Sequence, residues 1–272
     1  MEPKQVHQAN RAAWNEAAQS YERDIEDDVA FLAAGGKNLM APELRILHDL
    51  GTWCRRAIHL QCAGGRDTLS LWNQGAAEVI GVDISDRMID CARRKSMALG
   101  APATWVCCDL LDTPHELDGT ADLVYTGRGA INWIMDIDGW AMVVARLLKP
   151  GSGRLYLFEG HPISSIWDPE AADLRFDPNP LFGDYFAETP AVDQGWPTQY
   201  IPAEDVPAKA EQAYKYERHW TLGDILNALV AAGLVLERFE EYPDQYWDQF
   251  PNLPTAIANR LPHTFSLLMR RA

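Results

Sequence analysis

The stretch AIHLQCAGGRDTLSLWNQGAAEVIGVDIS, residues 57–85, holds one complete strand–turn–helix–strand unit. AIHLQC (57–62) is a short apolar run that stops at Gly64-Gly65. Residues 66–74 have helical spacing, and AEVIGVD (77–83) is a second apolar run. Two such runs with a helix between them describe parallel strands joined by a crossover and covered on both faces. Ser85 then caps a helix whose apolar positions Met88, Ile89, Ala92 and Leu99 share one stripe, and Gly100 closes it.

The alternation continues outward. TWVCCD (104–109) and ADLVYTG (121–127) read as the third and fourth strands. Asp138 is expected to cap the helix WAMVVARLL, which Lys149-Pro150-Gly151 stops, and RLYLFEG (154–160) is the fifth strand. Further on, Thr221 with Asp224 has the spacing of a capping box before a stripe of Leu222, Ile225, Leu226, Leu229 and Val230, ended by Gly233. LVLERFEEY (234–242) and HTFSLLMRR (263–271) complete seven strands. The expected fold is α/β, a doubly wound, mainly parallel sheet. Residues 1–50 form an N-terminal helical arm, with Trp14, Tyr21, Phe31 and Leu32 as its apolar points, and residues 51–272 form the domain. Within the domain, 161–216 holds eight of the seventeen prolines and many aromatic residues. That is too long for an ordinary connection and reads as an insertion covering the sheet.

The chain has 272 residues, 47% of them hydrophobic, enough for a full core. Against 24 basic residues stand 39 acidic ones, a net charge of −15. Such a surface repels phosphate backbones and anionic membranes, so neither nucleic acid nor membrane is an expected partner. Five cysteines with no CxxC are expected as reduced cytosolic thiols. No signal-like start and no apolar run of 18 residues occur, so a cytoplasmic protein is expected. The acidic run Asp24 to Asp28 is expected as a solvated helix face, and no metal site is expected.

Open parallel sheets bind ligands beyond the carboxyl ends of their strands. The residues there are Cys62-Ala63-Gly64-Gly65, Asp83, Asp109, Thr126-Gly127-Arg128-Gly129, and Glu159-Gly160-His161. Small residues at 63–65 admit close backbone approach, and Asp83 is placed to accept from a ribose diol. Asp109 is placed to accept from a purine amine. The dinucleotide pattern of three glycines fails here, since Gln61 and Ala63 occupy its places, and no P-loop ending follows. A phosphate-free adenosine ligand fits best, and S-adenosylmethionine is the obvious one.

With these residues in view, the chain resembles the class I, Rossmann-like, S-adenosylmethionine-dependent methyltransferases. More narrowly it resembles bacterial small-molecule members reading HLQC–GxDTL, matched here by His59-Leu60-Gln61-Cys62, Gly65 and Asp67-Thr68-Leu69. NRAAWNEAA (10–18), GAAEVIGVDIS (75–85), residues 108–133, RLLKPG (146–151) and 216–234 match as well. The resemblance implies a seven-stranded sheet with the last strand antiparallel. It implies that Gly65 and its neighbours Cys62, Ala63 and Gly64 face the cofactor's methionine part, that Asp83 holds the ribose, and that Asp109 with the Leu110 backbone reads the adenine. Arg128 and Tyr21 are the expected partners for the cofactor's carboxylate and amine, and Ile84, Met88 and Thr126 complete the expected cofactor set. The wider superfamily has acid-x-Gly-x-Gly-x-Gly, where this chain has His59, Gln61, Ala63 and Gly65.

Methyl transfer needs alignment in a dry cavity, and aromatic ring faces attract the positive charge. Trp133, Trp167, Tyr185, Trp196, Tyr200 and Trp247 are the expected substrate-pocket residues. His161 is the best-placed base, with shaping of the Gly-His-Pro turn as its competing role; His219 is expected to be structural, and Glu159 either anchors substrate or ends its strand. His7 and His115 carry no signal. Asp177-Pro178-Asn179-Pro180 is rejected as the proline motif of amino methyltransferases because it does not follow the fourth strand. The expected activity is methyl transfer to O or N of a small aromatic or heterocyclic metabolite. A catalytically inactive cofactor-binding partner or sensor, and a protein methyltransferase, are the alternatives, and a homodimer is left open.

Overall fold

The computed structural model describes residues 2–179, 182–198 and 200–272, so Pro180 of the rejected proline run lies outside the described residues. Its strands are β1 (Arg56–Leu60), β2 (Glu78–Asp83), β3 (Ala103–Cys107), β4 (Leu123–Gly127), β5 (Arg154–Gly160), β6 (Ala191–Asp193), β7 (Lys215–Glu217), β8 (Leu234–Tyr242) and β9 (Thr264–Arg271). Seven of them form one sheet in the order β3-β2-β1-β4-β5-β9-β8. β1 to β5 run parallel, and β9 is antiparallel to both neighbours, as the resemblance implied. Strand order reverses between β1 and β4, which sets the ligand crevice there.

The helices are α1 (Pro3–Arg23), α2 (Ile25–Ala33), α3 (Ala41–Ile46), α4 (Leu50–Trp53), α5 (Arg66–Asn73), α6 (Asp86–Leu99), α7 (Ile137–Leu147), α8 (Leu222–Ala231) and α9 (Thr255–Ala258). Both sheet faces are covered. On one, Trp140 and Val144 of α7 and Ile225 and Leu229 of α8 pack with Ile58, Val82, Val124 and Leu157. On the other, Leu47, Leu50 and Leu71 pack with Ala57, Val79, Tyr125 and Phe158. This two-sided burial is why the strands read as continuous apolar runs.

The local signals at helix ends hold with one correction. Ser85 Oγ accepts from the Met88 N–H at 3.1 Å, Gly100 takes the left-handed conformation, and Thr221 and Asp224 form the capping box. The cap of α7 is Asp136, whose carboxylate accepts from the Gly139 N–H at 2.8 Å. Asp138 sits in the first turn instead, where a carboxylate interacts favourably with the helix dipole.

The arm does not stand apart from the domain. α1 and α2 both pack on α6, and Ala13, Ala17 and Ala18 of α1 are fully buried. The acidic run is not wholly solvated. Asp28 is buried and pairs with the fully buried Lys95 ammonium at 2.6 Å and with Arg66 at 3.1 Å, whereas Asp24, Glu26 and Asp27 are exposed. Lys95 reaches Asp28 only because α6 packs on α2, which spacing along the arm does not reveal. The insertion contains the β6–β7 ribbon, which has no counterpart in the sequence reading. Asn10 of α1 ties it down: its amide donates to the Tyr216 carbonyl at 2.9 Å and accepts from the Tyr216 N–H at 2.7 Å.

Candidate functional site

A cavity of about 890 Å³ lies beyond the carboxyl ends of the parallel strands, roofed by α1 and the insertion. That is near the upper end of the usual range for small-molecule sites, ~300–1,000 Å³.

Its floor is the loop after β1. Gln61, Ala63 and Gly65 all have positive φ, at 58°, 45° and 78°. These are the three glycine positions of the wider superfamily pattern, so the loop keeps a glycine-type backbone with two non-glycine residues. A residue with a Cβ in this conformation costs roughly 1–2 kcal/mol, and the surroundings hold it. The Gln61 amide donates to the Ala130 carbonyl at 2.7 Å, and the Ala63 N–H donates to Asp83 at 2.8 Å. The donated bond fixes the Gln61 amide and leaves its Oε1 buried without a partner at the cavity lining.

The two glycines are also small for packing from behind. A Cβ on Gly65 would come within 2.6 Å of Ala92 Cβ and 2.7 Å of the Trp105 ring, and one on Gly64 within 3.0 Å of the Tyr21 ring. Trp105 is fixed by its Nε1–H donating to Ser96 Oγ at 2.9 Å.

Asp83 and Asp109 occupy the two neighbouring strand ends. The Asp83 carboxylate accepts from Ala63 N–H and from Ser85 N–H at 2.9 Å. Burial without a cation pushes its pKa up to about 6, despite these backbone donors. Asp109 accepts from the Leu111 N–H at 3.0 Å and meets His7 Nδ1 at 2.8 Å. His7 Nε2 accepts from the Met135 N–H at 3.0 Å, so Nδ1 carries the proton and donates to Asp109. Burial alone would raise the Asp109 pKa; the His7 bond and the Leu111 N–H outweigh it and hold the carboxyl below its ordinary value. Each carboxylate keeps further acceptor capacity, since an ionised carboxylate offers about four lone-pair sites. Ile84, Met88 and Leu110 complete this side of the cavity.

After β4 and β5 the picture differs. Arg128 lines the cavity, but its guanidinium pairs with Asp67 at 2.8 Å, lies 3.7 Å from Glu43 and donates to the Asn38 carbonyl. Asn38 also donates to Asp67 at 2.5 Å. Glu159 is buried and accepts from the N–H groups of Gly129, Ala130 and Ile131, at 2.6, 2.7 and 2.9 Å, so it shapes the loop after β4. With no cation beside it, burial pushes its pKa up to about 7. Thr126 is buried inside β4 and does not line the cavity.

The roof is aromatic. Trp14, Trp133 and Trp196 touch one another, with ring centres 4.8 to 5.9 Å apart. Tyr200 lies 6.4 Å from Trp196 and 6.2 Å from Trp247, and its hydroxyl meets that of Tyr21 at 3.0 Å. Trp167 also lines the cavity, stacked on Phe176. Tyr185 does not line it; its ring packs against Phe186 and His219.

Both ring nitrogens of His161 are engaged. Nδ1 accepts from the Ile163 N–H at 3.1 Å, and Nε2 meets Glu241 at 2.9 Å, so the ring shapes the turn after β5. Burial outweighs the Glu241 bond and lowers its pKa. His219 Nδ1 meets Ser165 Oγ at 2.8 Å, and its buried Nε2 has no partner.

Of the α1 residues at the cavity, only Tyr21 was expected there; His7, Asn10 and Trp14 line it as well, and the spacing of three, four and seven from His7 to Tyr21 places all four along one helical face. That spacing was the available signal. Asp67 and Gln61 were likewise not expected at the site.

Residues 57–151 match the family model described as a methyltransferase domain. No curated protein sequence matches the chain. Among solved structures, an S-adenosylmethionine-dependent methyltransferase from Mesorhizobium loti is similar, at 23% identity and a TM-score of 0.59. The match covers 85% of this chain and 96% of that one. A geranyl diphosphate C-methyltransferase from Streptomyces coelicolor, solved with Mg2+, geranyl diphosphate and S-adenosyl-L-homocysteine, matches at 16% identity and a TM-score of 0.55, covering 85% and 78%. An S-adenosylmethionine-dependent methyltransferase from Clostridium acetobutylicum matches at 15% and 0.54, covering 82% and 87%. Strand order and crevice agree with these matches: the chain has the Rossmann-like fold of these methyltransferase structures, and its residues 57–151 are similar to the methyltransferase-domain family.

Proposed function

We propose that the protein is an S-adenosylmethionine-dependent methyltransferase acting on O or N of a small aromatic or heterocyclic metabolite. The observation that carries this reading is the convergence of the Gln61–Gly65 loop, Asp83 and Asp109 on one cavity under an aromatic roof. The residues fit such a cofactor. Asp83 has acceptor capacity for a ribose diol, Asp109 for an adenine amine, and the orphaned Gln61 Oε1 for a ligand N–H. Cys62, Ala63 and Gly64 would border its amino-acid end, and Tyr21, which packs against Gly64, would cover it. When bound, the cofactor supplies an electrophilic methyl group on a sulfonium. The chain aligns the acceptor and excludes water, with the arm (1–50) and the insertion (161–216) as covers. Methyl transfer by alignment alone needs no base, which agrees with the engaged ring of His161. The retained positive φ at Gln61 and Ala63 favours this reading over an inactive cofactor-binding partner, because the loop keeps its shape with two non-glycine residues in it. Cytoplasmic location belongs to the same proposal; among the described residues no helix is long and apolar enough to cross a membrane.

Calorimetry with S-adenosylhomocysteine tests the proposal. Binding is expected, weakened in Asp83→Asn. No binding at high micromolar concentration overturns it.

A further inference from the structure

The charges around the cavity are lopsided. Four cationic side chains line it among the described residues, and each is already neutralised. Arg66 pairs with Asp28 at 3.1 Å and Arg128 with Asp67 at 2.8 Å. Lys215 pairs with Glu217 at 3.2 Å and Asp193 at 3.7 Å, and Lys209 lies 4.0 Å from Asp193. The lining carboxylates Asp83, Glu170, Asp177 and Asp248 have no cation within ion-pair distance among the described residues. Asp83 lies on the cofactor side; Glu170, Asp177 and Asp248 belong to the insertion and to the segment after β8.

A second observation concerns the roof. The buried Lys215 ammonium lies 5.6 Å from the Trp196 ring centre, so this aromatic face already receives a cation. The Trp14–Trp133–Trp196 cluster and the Lys215–Asp193–Glu217 group therefore meet at one side chain. With Lys209 4.0 Å from Asp193 that group is balanced, so the excess negative charge at the cavity comes from Glu170, Asp177 and Asp248. Ring faces and excess carboxylate both attract positive charge. An anionic acceptor would meet cations that are already paired and carboxylates that are not, of which Glu170 and Asp248 are exposed and Asp177 half-buried.

Resting on the methyltransferase reading, we propose that the acceptor is an alkylamine bearing an aromatic ring, which arrives as a cation and is methylated on nitrogen, and not a phosphorylated or carboxylated compound. The ammonium first gives its proton to water. The nitrogen lone pair then forms the new N–C bond while the C–S bond breaks and its electron pair stays on sulfur. The positive charge that enters on sulfur leaves on nitrogen, so the acid-flanked aromatic roof faces a cation before and after transfer.

The experiment uses the full chain in two stages. Calorimetry with S-adenosylhomocysteine comes first; absence of binding there refutes the methyltransferase reading, and this inference with it. The loaded protein is then titrated with tryptamine, indole-3-acetate and geranyl diphosphate. Tryptamine is expected to bind about tenfold or more tighter than either anion, a difference within reach of one buried cation–ring contact plus charge complementarity. Glu217→Gln, which releases one partner of Lys215, should narrow that preference with S-adenosylhomocysteine affinity unchanged. Equal or tighter binding of either anion, binding of none of the three, or a preference untouched by Glu217→Gln refutes the inference while leaving the cofactor reading standing.

Discussion

Asp83 gives the site a pH dependence whose sign and size follow from its surroundings. Its carboxyl is buried, has only backbone donors and has a pKa of about 6 against an ordinary 3.8. In the ligand-free protein the folded state therefore holds this proton more tightly than the unfolded chain. Ionisation lowers stability as pH rises from the ordinary value toward 6. A ligand diol donating two hydrogen bonds favours the ionised form and reverses that balance. Binding of S-adenosylhomocysteine should then be strongest above pH ~7 and weaken as pH falls through 6, by up to tenfold, ~1.4 kcal/mol, per pH unit. Near pH 5.5, binding should release most of a proton, visible in calorimetry as an enthalpy that changes with the buffer's own ionisation enthalpy. Glu159, with a pKa of about 7, provides the control. Asp83→Asn should bind more weakly by about 1.5–3 kcal/mol, the range for a hydrogen bond to a charged group, and should lose the break near pH 6 while keeping any break near 7. A flat affinity between pH 5 and 7.5, or a break near 6 that survives in Asp83→Asn, would refute the assignment of Asp83 as an ionised acceptor.

Gly65→Ala puts a Cβ 2.6 Å from Ala92 at a φ of 78° and should cost about 2–4 kcal/mol, read as a lowered urea midpoint. Ala63→Gly relieves a left-handed alanine and should leave stability equal or up to ~1 kcal/mol higher in the same assay. His7→Ala strands the buried Asp109 carboxylate and the Met135 N–H; a loss of about 1–3 kcal/mol, with faster amide exchange in α1, is expected. Lys95→Met leaves Asp28 with Arg66 alone and should cost about 3 kcal/mol by chemical denaturation.

The sheet was legible because its information is local. An apolar run such as AEVIGVD needs only its own residues to declare a strand buried on both faces, and Ser85 needs only the helix it begins. The strand-end residues followed from topology alone, which is why Asp83 and Asp109 were expected at the strand ends, where the cavity lies. The rest depends on partners far along the chain. Asp28 looks like one member of an acidic run until α6 delivers Lys95 to it. Arg128 looks free until Asp67 and Asn38 close around it. His7 carries no local signal, and its role appears once α1 lies across the ends of β3 and β4. The pairing of β6 and β7 spans an irregular, proline-rich stretch with no periodicity to announce it.

The backward-turning residues after β1 bear on how such loops are recognised from letters alone. Gln61 and Ala63 sustain torsions usually delegated to glycine, one by clasping a neighbouring carbonyl, the other by donating to an acidic side chain. A search string demanding three glycines would pass this chain by, whereas one written as a succession of torsion signs would find it. What defines the cradle is the handedness of each link, and side chains are admissible wherever adjoining groups pin that handedness in place.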